Sequence, residues 1–305
     1  MKLGLVSAIL DWLSFEEMID LISGLGFDCV EVACWPAGIA ERRYAGVSHI
    51  DVDGLDDERA AGIKDYCRKK QVEISSLAFY PNTLDPDPVK RSANIRHLKK
   101  VITASSMLDI GLVTTFVGRD QTKTVAENLI LFQETWPDII TFAEEHKVRV
   151  AIENCPMLFD QGQWPGGQNL ATTPAIWREM FRLIPSDCLG LNYDPSHFVW
   201  QKMDYIKPMY EFRDKIFHVH YKDIKLYQDK LDDVGTMAYP LQYMAPKLPG
   251  LGDVKWGEYV SALNDIGYRG FTCIEIEDRN FEDTRDAVIE SLILSKRYLN
   301  QFVMQ

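Results

Sequence analysis

Paired cysteines are missing from this sequence. Its 305 residues contain six cysteines with no C-x-x-C pair among them: Cys29, Cys34, Cys67, Cys155, Cys188 and Cys273. This spacing excludes a disulfide framework and a structural zinc ribbon, since both need cysteines in close and regular pairs. Unpaired cysteines in a chain of this length are typical of a reducing compartment, and we expect a cytoplasmic protein.

Long apolar runs are also absent. No stretch approaches the roughly 20 residues that a membrane-spanning helix needs. The first apolar segment meets Asp11 and Trp12 almost at once, so it does not match the apolar region and cleavage site of a signal peptide. We therefore expect neither a membrane partner nor export.

Basic residues are in deficit, with 33 Lys and Arg against 45 Asp and Glu and a net charge of -12. A negative protein repels a phosphate backbone unless its basic residues are concentrated in one patch. The densest basic segment, residues 96–100, falls inside an amphipathic helical run, where a solvated face is the simpler explanation. Nucleic acid is therefore not an expected partner.

No glycine-rich phosphate loop follows the first predicted strand, which argues against a doubly wound dinucleotide-binding sheet. Instead, short apolar runs alternate with segments of helical period. The eight runs begin near Leu3, Asp28, Val72, Gly111, Val148, Cys188, Lys215 and Phe271. Eight strand-and-helix units with right-handed crossovers predict an α/β fold, a single (β/α)8 TIM barrel that covers residues 1–305 as one domain.

The connections that leave the strands are longer than those that enter them. Long segments follow the second, fifth and seventh predicted strands, at roughly residues 35–54, 154–172 and 222–253. In a barrel, the loops that leave the strands form the C-terminal face, where TIM-barrel active sites lie. We expect the functional site there.

Polar side chains recur on one parity of the last four barrel strands. A strand buried on both faces should be apolar at every position. In these strands the apolar residues alternate with polar ones near the carboxyl end: Glu153, Asn192, Asp194, His218, His220, Lys222, Cys273, Glu275 and Glu277. Because the apolar positions must pack under the helices, we expect the polar ones to point into the barrel.

Four of these residues, one from each strand, are expected to meet at the barrel mouth: Glu153, Asp194, His220 and Glu275. Bare carboxylates in contact repel, and each desolvated charge costs several kcal/mol unless it is neutralised. A divalent cation would neutralise them. This ligand set suits Mn2+, our first expectation, as well as Mg2+ or Co2+, and it also admits Zn2+. Singly, each of the four could instead cap a helix or form an ion pair.

Other candidates carry a less specific signal. His197 could be a further ligand, support a ligand or contact the substrate, and His218 is expected to be a hydrogen-bonded core histidine. His97 and His146 lie in amphipathic helices, where a solvated or capping role is expected. Aromatic residues at the mouth could stack on a sugar ring or anchor loops, and Trp35 and Tyr80 are assigned to substrate binding ahead of Trp164 and Trp200.

Five motifs together resemble the sugar phosphate isomerase/epimerase family, the xylose isomerase-like TIM barrels. They are A-I-E-N at 151–154, D-P-S-H at 194–197, H-V-H-Y-K-D at 218–223, G-L-G-D-V-K-W at 250–256 and I-E-I-E-D at 274–278. The resemblance spans nearly the whole chain. It implies one divalent metal, bound by the four residues above, that holds a carbonyl oxygen and the neighbouring hydroxyl of a sugar.

The same resemblance implies roles for individual side chains. Glu153 and Glu275 would face opposite sides of a planar enediolate, one removing the proton and the other returning it. His197 would contact a substrate oxygen. The ketose 3-epimerases of the family carry an arginine shortly after the strand-seven histidine. Lys222 begins that segment here, and we assign it an oxyanion role.

The sequence therefore predicts a metal-dependent enzyme acting on a small carbohydrate. The first hypothesis is a sugar isomerase or epimerase that works by proton abstraction α to a metal-bound carbonyl. The alternative ends in elimination, as in a dehydratase or the catalytic subunit of a C-glycoside deglycosidase acting on a 3-keto sugar. We expect a homo-oligomer, or a hetero-oligomer with a small partner subunit.

Two further classes are disfavoured. Abasic-site endonucleases of the superfamily need histidines on early strands and a D-x-H motif after strand seven, where this sequence reads Asp232-Asp233-Val234. A non-catalytic sugar-binding barrel has no reason to keep two carboxylates on a cation. We therefore consider both classes less well supported than an enzyme that abstracts a proton.

Overall fold

The computed structural model describes residues 1–36, 38, 45–158 and 165–302. The strands of this part of the chain are β1 Lys2–Val6, β2 Cys29–Ala33, β3 Glu73–Ala78, β4 Leu112–Thr115, β5 Arg149–Glu153, β6 Leu189–Tyr193, β7 Ile216–Tyr221, β8 Asp223–Leu226, β9 Met244–Lys247 and β10 Phe271–Ile274. All but β8 and β9 close into one barrel in the order β1-β10-β7-β6-β5-β4-β3-β2, with parallel neighbours throughout. The predicted (β/α)8 barrel is confirmed.

The helices surround this barrel. They are α1 Phe15–Gly24, α2 Asp57–Lys70, α3 Pro88–Met107, α4 Val125–Glu145, α5 Pro174–Leu183, α6 Ser196–Val199, α7 Lys207–Glu211, α8 Gln228–Val234, α9 Trp256–Asp265 and α10 Arg285–Leu299. Ser14 and Glu17 form a capping box at α1, and Thr173 caps α5 ahead of Pro174. Among the described helices, none has both the length and the apolar character needed to cross a bilayer.

The core lies between the barrel strands and the helices. Three tryptophans on α4, α5 and α9 are fully buried there: Trp136, Trp177 and Trp256. His97 lies in the middle of α3 and is also buried, with Nε2 2.8 Å from the carbonyl oxygen of Cys34, so the solvated or capping role expected for it is wrong. His146 caps the carboxyl end of α4, as predicted.

The long segment after β7 contains a hairpin that the sequence pattern did not reveal. Strands β8 and β9 pair antiparallel, with Asp223 opposite Lys247. The buried Asp223 carboxylate accepts hydrogen bonds from the backbone N–H groups of Ile224, Gly250, Gly252 and Val254 and from the indole of Trp256, at 2.8 to 3.2 Å. One aspartate therefore ties the start of the hairpin to the G-L-G-D-V-K-W segment that follows it.

Glycine is required at position 252 by this contact. A Cβ atom there would lie 2.2 Å from Oδ1 of Asp223 and 2.5 Å from the carbonyl oxygen of Ile224. The backbone of the loop can approach the carboxylate only because residue 252 has no side chain. The loop motif thus has a structural cause, which is the closing of the loop base beside the barrel mouth.

Candidate metal centre

Four neighbouring barrel strands bring the four expected side chains together. Glu153 ends β5, Asp194 follows β6, His220 is the penultimate residue of β7 and Glu275 follows β10. These strands are consecutive around the barrel, so their carboxyl ends lie side by side. One donor atom from each of the four residues lies within 4.8 Å of the donor atoms of the other three. The cluster lies at the barrel mouth, where the long loops begin.

The donor atoms have the geometry of a cation site. Nδ1 of His220 lies 3.2 Å from Oε2 of Glu275 and 3.5 Å from Oε1 of Glu153. In the described part of the chain, these three atoms and Oδ2 of Asp194 are buried without a hydrogen-bond partner. Buried polar atoms are rarely left unsatisfied, and here four of them converge on one point. Three carboxylates and an imidazole of this arrangement fit a divalent cation of the Mn2+, Mg2+, Co2+ or Zn2+ type.

Asparagine side chains hold the ligand strands in place. Asn154 accepts from the backbone N–H of Asp194 at 2.8 Å and donates to the carbonyl oxygen of the same residue at 2.9 Å. Asn169 donates to the carbonyl oxygen of Glu153 at 2.9 Å. Sequence reasoning missed both, although Asn154 stands directly beside Glu153 in the A-I-E-N motif. These bonds fix the backbone at two of the four donor positions.

A fully buried glutamate on β2 was also missed. Oε2 of Glu31 lies 3.1 Å from Nε2 of His220, and the Tyr80 hydroxyl donates to Oε1 of Glu31 at 2.6 Å. The sequence did carry a signal, because Glu31 is a lone carboxylate inside the apolar run C-V-E-V-A. It lies on the same inward parity as Cys29, whose side chain packs against Cys273 on β10.

His218 lies one inward layer below His220 and is fully buried. Its Nδ1 is 3.0 Å from Oδ1 of Asn192, and its Nε2 is 3.1 Å from Oγ of Ser75. Each ring nitrogen therefore has a neutral hydrogen-bonding partner, and Nδ1 also lies 3.5 Å from Oε2 of Glu31. The prediction of a hydrogen-bonded core histidine is confirmed.

Two further cationic or protonatable groups border the cluster. Nε2 of His197, on α6, lies 3.1 Å from Oδ2 of Asp194 and 3.7 Å from Oε1 of Glu153. Lys222 is buried, and its ammonium group lies 3.4 Å from Oε1 of Glu275. Lys222 does not pair with its neighbour in sequence, because the Asp223 carboxylate is occupied by the loop that follows. Both groups are placed to donate to an anionic oxygen at the cluster.

The electrostatics of the two glutamates differ. Burial raises the pKa of Glu275, and although Lys222 opposes this, the nearby Glu153 adds to it, so the net pKa is raised. Burial acts in the same direction on Glu153, but the nearby imidazoles of His197 and His220 outweigh it and hold its pKa well below the usual range. The pKa values of these two carboxyl groups, which both lie near Nδ1 of His220, are thus shifted in opposite directions.

A cavity of about 760 Å³ opens above this cluster. Its inner end is lined by Glu153, His197, Lys222 and Glu275, and its outer part by residues of the hairpin segment, among them Tyr227, Tyr239, Met244 and Pro246. Trp35, Tyr80 and Trp200 also line it. The Tyr80 hydroxyl is directed to Glu31 and Asn192, so Tyr80 offers its ring to the cavity. Trp164 lies outside the described residues.

Comparison with known proteins places this barrel in a family. A family model described as the xylose isomerase-like TIM barrel matches residues 19–298. Among curated relatives, the uncharacterized protein YfiH of Bacillus subtilis (strain 168) is 26% identical over 312 residues, covering 91% of this chain and 93% of its own. An inosose dehydratase of Clostridium tetani (strain Massachusetts / E88) is 24% identical over 186 residues, covering 60% of each chain.

Solved structures share the barrel over the whole chain. The IolI protein with a bound zinc atom has a TM-score of 0.74 at 16% identity and covers 100% of both chains. D-psicose 3-epimerase in the presence of D-fructose has a TM-score of 0.72 at 15% identity and covers 99% of both chains. At these identities the likeness concerns the fold. The family match over most of the sequence carries the assignment, and the chain belongs to the xylose isomerase-like TIM barrel family.

Proposed function

We propose that this protein is a divalent-metal-dependent sugar isomerase or epimerase that acts by proton abstraction α to a carbonyl. The observation that carries the proposal is the convergence of four buried, unsatisfied donor atoms at the inner end of a ligand-sized cavity. A cavity with a few convergent polar groups and displaced pKa values has the character of an active site. Glu153, Asp194, His220 and Glu275 would hold the cation, with Mn2+ as the first choice.

When bound, a divalent cation supplies Lewis-acid polarisation of a carbonyl group, which acidifies the neighbouring C–H. The proton transfers fall to Glu153 and Glu275. A carboxylate within contact distance of the reacting C–H can act as general base, and both glutamates line the cavity. Glu153 and Glu275 would thus remove and return the substrate proton.

His197 and Lys222 would orient the substrate and stabilise its developing negative charge. The imidazole of His197 lies beside Asp194 and Glu153, where it can donate to a sugar oxygen. The ammonium group of Lys222 is buried and lies at the inner end of the cavity, where a fixed positive charge has its largest effect on an oxyanion. The rings of Trp35 and Tyr80 would form the apolar wall against which a sugar lies.

Elimination by the same proton abstraction is the second candidate. It is favoured by the extension of the cavity along the hairpin, which leaves room for a leaving group beyond the reacting sugar. Lys222 would then be the proton donor to the departing oxygen. The inosose dehydratase among the relatives supports elimination, whereas the D-psicose 3-epimerase of the same fold supports isomerisation.

Isotope exchange separates these candidates. The Mn2+-loaded protein is incubated in deuterated water with a panel of ketoses, inososes and 3-keto-glycosides, and the sugars are followed by NMR. Deuterium retained in an isomerised sugar supports an isomerase or epimerase, and release of water or an aglycone supports a lyase. No exchange into any member of the panel, by protein shown to bind the cation, contradicts both.

A further inference from the structure

The side of His220 that faces away from the three carboxylates of the metal centre is closed by a fourth carboxylate, Glu31. Nδ1 of His220 points toward Glu275 and Glu153, and its Nε2 lies 3.1 Å from Oε2 of Glu31. Glu31 comes from β2, on the far side of β1 and β10 from β7 in the order of barrel strands. The imidazole therefore stands between the cluster and an isolated carboxylate.

Glu31 is costly to the fold where it stands. Its side chain has no exposed surface, and a buried carboxylate destabilises a protein unless hydrogen bonds compensate its desolvation. The hydroxyl groups of Tyr80 and Ser76 donate to it at 2.6 and 3.1 Å. An apolar residue at this position would need none of these contacts, so stability alone does not account for a glutamate.

The contact also selects one form of the imidazole. A neutral histidine has one N–H group, and the hydrogen-bond partner of one nitrogen decides which nitrogen is left as an acceptor. Two groups face Nε2 of His220: Oε2 of Glu31 at 3.1 Å and the side-chain nitrogen of Asn192 at 3.0 Å. The Asn192 nitrogen has another acceptor, the Tyr80 hydroxyl at 3.1 Å, whereas the Glu31 carboxylate can only accept, so Glu31 favours the hydrogen of His220 on Nε2. The lone pair of Nδ1 is then directed at the unsatisfied oxygens of Glu153 and Glu275.

We propose that Glu31 is a positioning residue that fixes the tautomer and orientation of His220 for the divalent cation, an inference that rests on the proposed metal centre. Carboxylate partners of this kind raise the basicity of a metal-bound imidazole, and their loss typically weakens metal binding about 10- to 100-fold. Glu31 would do this without touching the cation or the substrate.

A second cation between Glu31, His218 and His220 is the competing explanation, because their donor atoms also lie within 4.8 Å of one another. The contacts of His218 favour the hydrogen-bonded network. Its nitrogens face Oδ1 of Asn192 and Oγ of Ser75, and Oε1 of Glu31 is engaged by Tyr80. The other oxygen of Glu31, Oε2, accepts from Ser76 at 3.1 Å and lies 3.1 Å from Nε2 of His220 and 3.5 Å from Nδ1 of His218, so both oxygens have hydrogen-bond donors without a cation.

The test is the binding of Co2+ to the metal-free full-length protein, followed by calorimetry and by the visible spectrum of the bound ion. Glu31→Gln keeps the size of the side chain and removes its charge, and we expect the Co2+ dissociation constant to rise about 10- to 100-fold, with a shifted Co2+ spectrum. Glu258→Gln on the exposed face of α9 is the matched control. It makes the same chemical change outside the Glu31–His220 contact and should leave both readouts at the parent values.

Three results would overturn the inference. If Glu31→Gln folds and binds Co2+ as the parent does, Glu31 does not position His220, while the metal centre itself stands. If the parent chain binds two equivalents of Co2+, a second cation rather than a hydrogen bond connects Glu31 with His220. If the parent binds no Co2+, the metal centre fails and the inference with it.

If Glu31→Gln does not fold, the inference can be tested on the parent protein with Zn2+ bound, by NMR of the histidine ring nitrogens. A protonated Nε2 and a metal-bound Nδ1 on His220 are expected. The opposite tautomer would contradict the role proposed for Glu31.

Discussion

The ammonium nitrogen of Lys222 lies 3.4 Å from Oε1 of Glu275, inside a buried site that also contains Glu153 and Asp194. Lys222 is held there by a second carboxylate, Glu277, with Oε2 at 2.5 Å. Burial lowers the pKa of Lys222, but the attraction of Glu275 and Glu277 outweighs it and raises that pKa well above its usual range. Lys222 is therefore protonated before any reaction, and under the proposed function its charge lies where substrate charge would develop.

Replacing this charge tests its role. Lys222→Met should lower kcat about 10²- to 10³-fold, the usual cost of losing one donor to a developing oxyanion. Lys225→Met is the control, since Lys225 forms a partly exposed pair with Asp253 and should retain activity. Steady-state kinetics on the substrate found by isotope exchange decide the matter. A Lys222→Met enzyme with parental kcat would exclude the oxyanion role.

The two glutamates are expected to be indispensable for turnover. Glu153→Gln and Glu275→Gln each remove a group that can accept the substrate proton, and we expect activity to fall at least about 10²- to 10⁴-fold. Folding should survive, because each change also removes a like charge from a crowded cluster. Circular dichroism and solvent exchange of the substrate proton are the measurements. Near-normal exchange in either variant would contradict the acid–base assignment, and Glu258→Gln on the exposed face of α9 serves as the neutral control.

Metal addition should stabilise the fold. A ligand that binds only the native state adds about 2.7 kcal/mol to the free energy of unfolding at a concentration 100 times its Kd. We therefore expect Mn2+ to raise the melting temperature of the metal-free protein and EDTA to reverse the change. Asp194→Asn should reduce this shift, since Oδ2 of Asp194 is one of the convergent donor atoms. An unchanged shift in that variant would place the cation elsewhere.

The base of the hairpin loop can be tested through its glycine. Gly252→Ala places a methyl group against the Asp223 carboxylate, and overpacking of this kind costs about 1–3 kcal/mol of unfolding free energy. Gly257→Ala in α9 is the matched change, because its added methyl would lie 3.5 Å from Phe302, an ordinary contact. Helix propensity favours alanine there by about 1 kcal/mol. Denaturant unfolding of the two variants should move in opposite directions, and equal stabilities would contradict the close contact at Gly252.

The barrel was predictable because its signals are local and repeated. Each strand is a short apolar run followed by a helical period, and parity alone pointed Glu153 and His220 into the barrel. Partners supplied by distant segments were not predictable in this way. The buried His97 donates a hydrogen bond to the carbonyl oxygen of Cys34, which lies 63 positions away in the sequence. Glu31 and His220, which are also in contact, are 189 positions apart. The strands of the hairpin are four residues each, too short to show a period.

The Asp223 carboxylate accepts hydrogen bonds from Ile224 and from Trp256, so the two ends of the segment between residues 223 and 256 lie together on the barrel. Residues inside that closed loop, including residues of β8 and β9, form part of the cavity wall, whereas His220 and Lys222 precede the loop in sequence. We therefore expect insertions, deletions or wholesale exchange of the hairpin to leave the proposed reacting groups in place. If the proposed function holds, we expect substrate range and chemistry to be separable in this barrel, and hairpins from related barrels grafted onto residues 224–249 should change substrate choice.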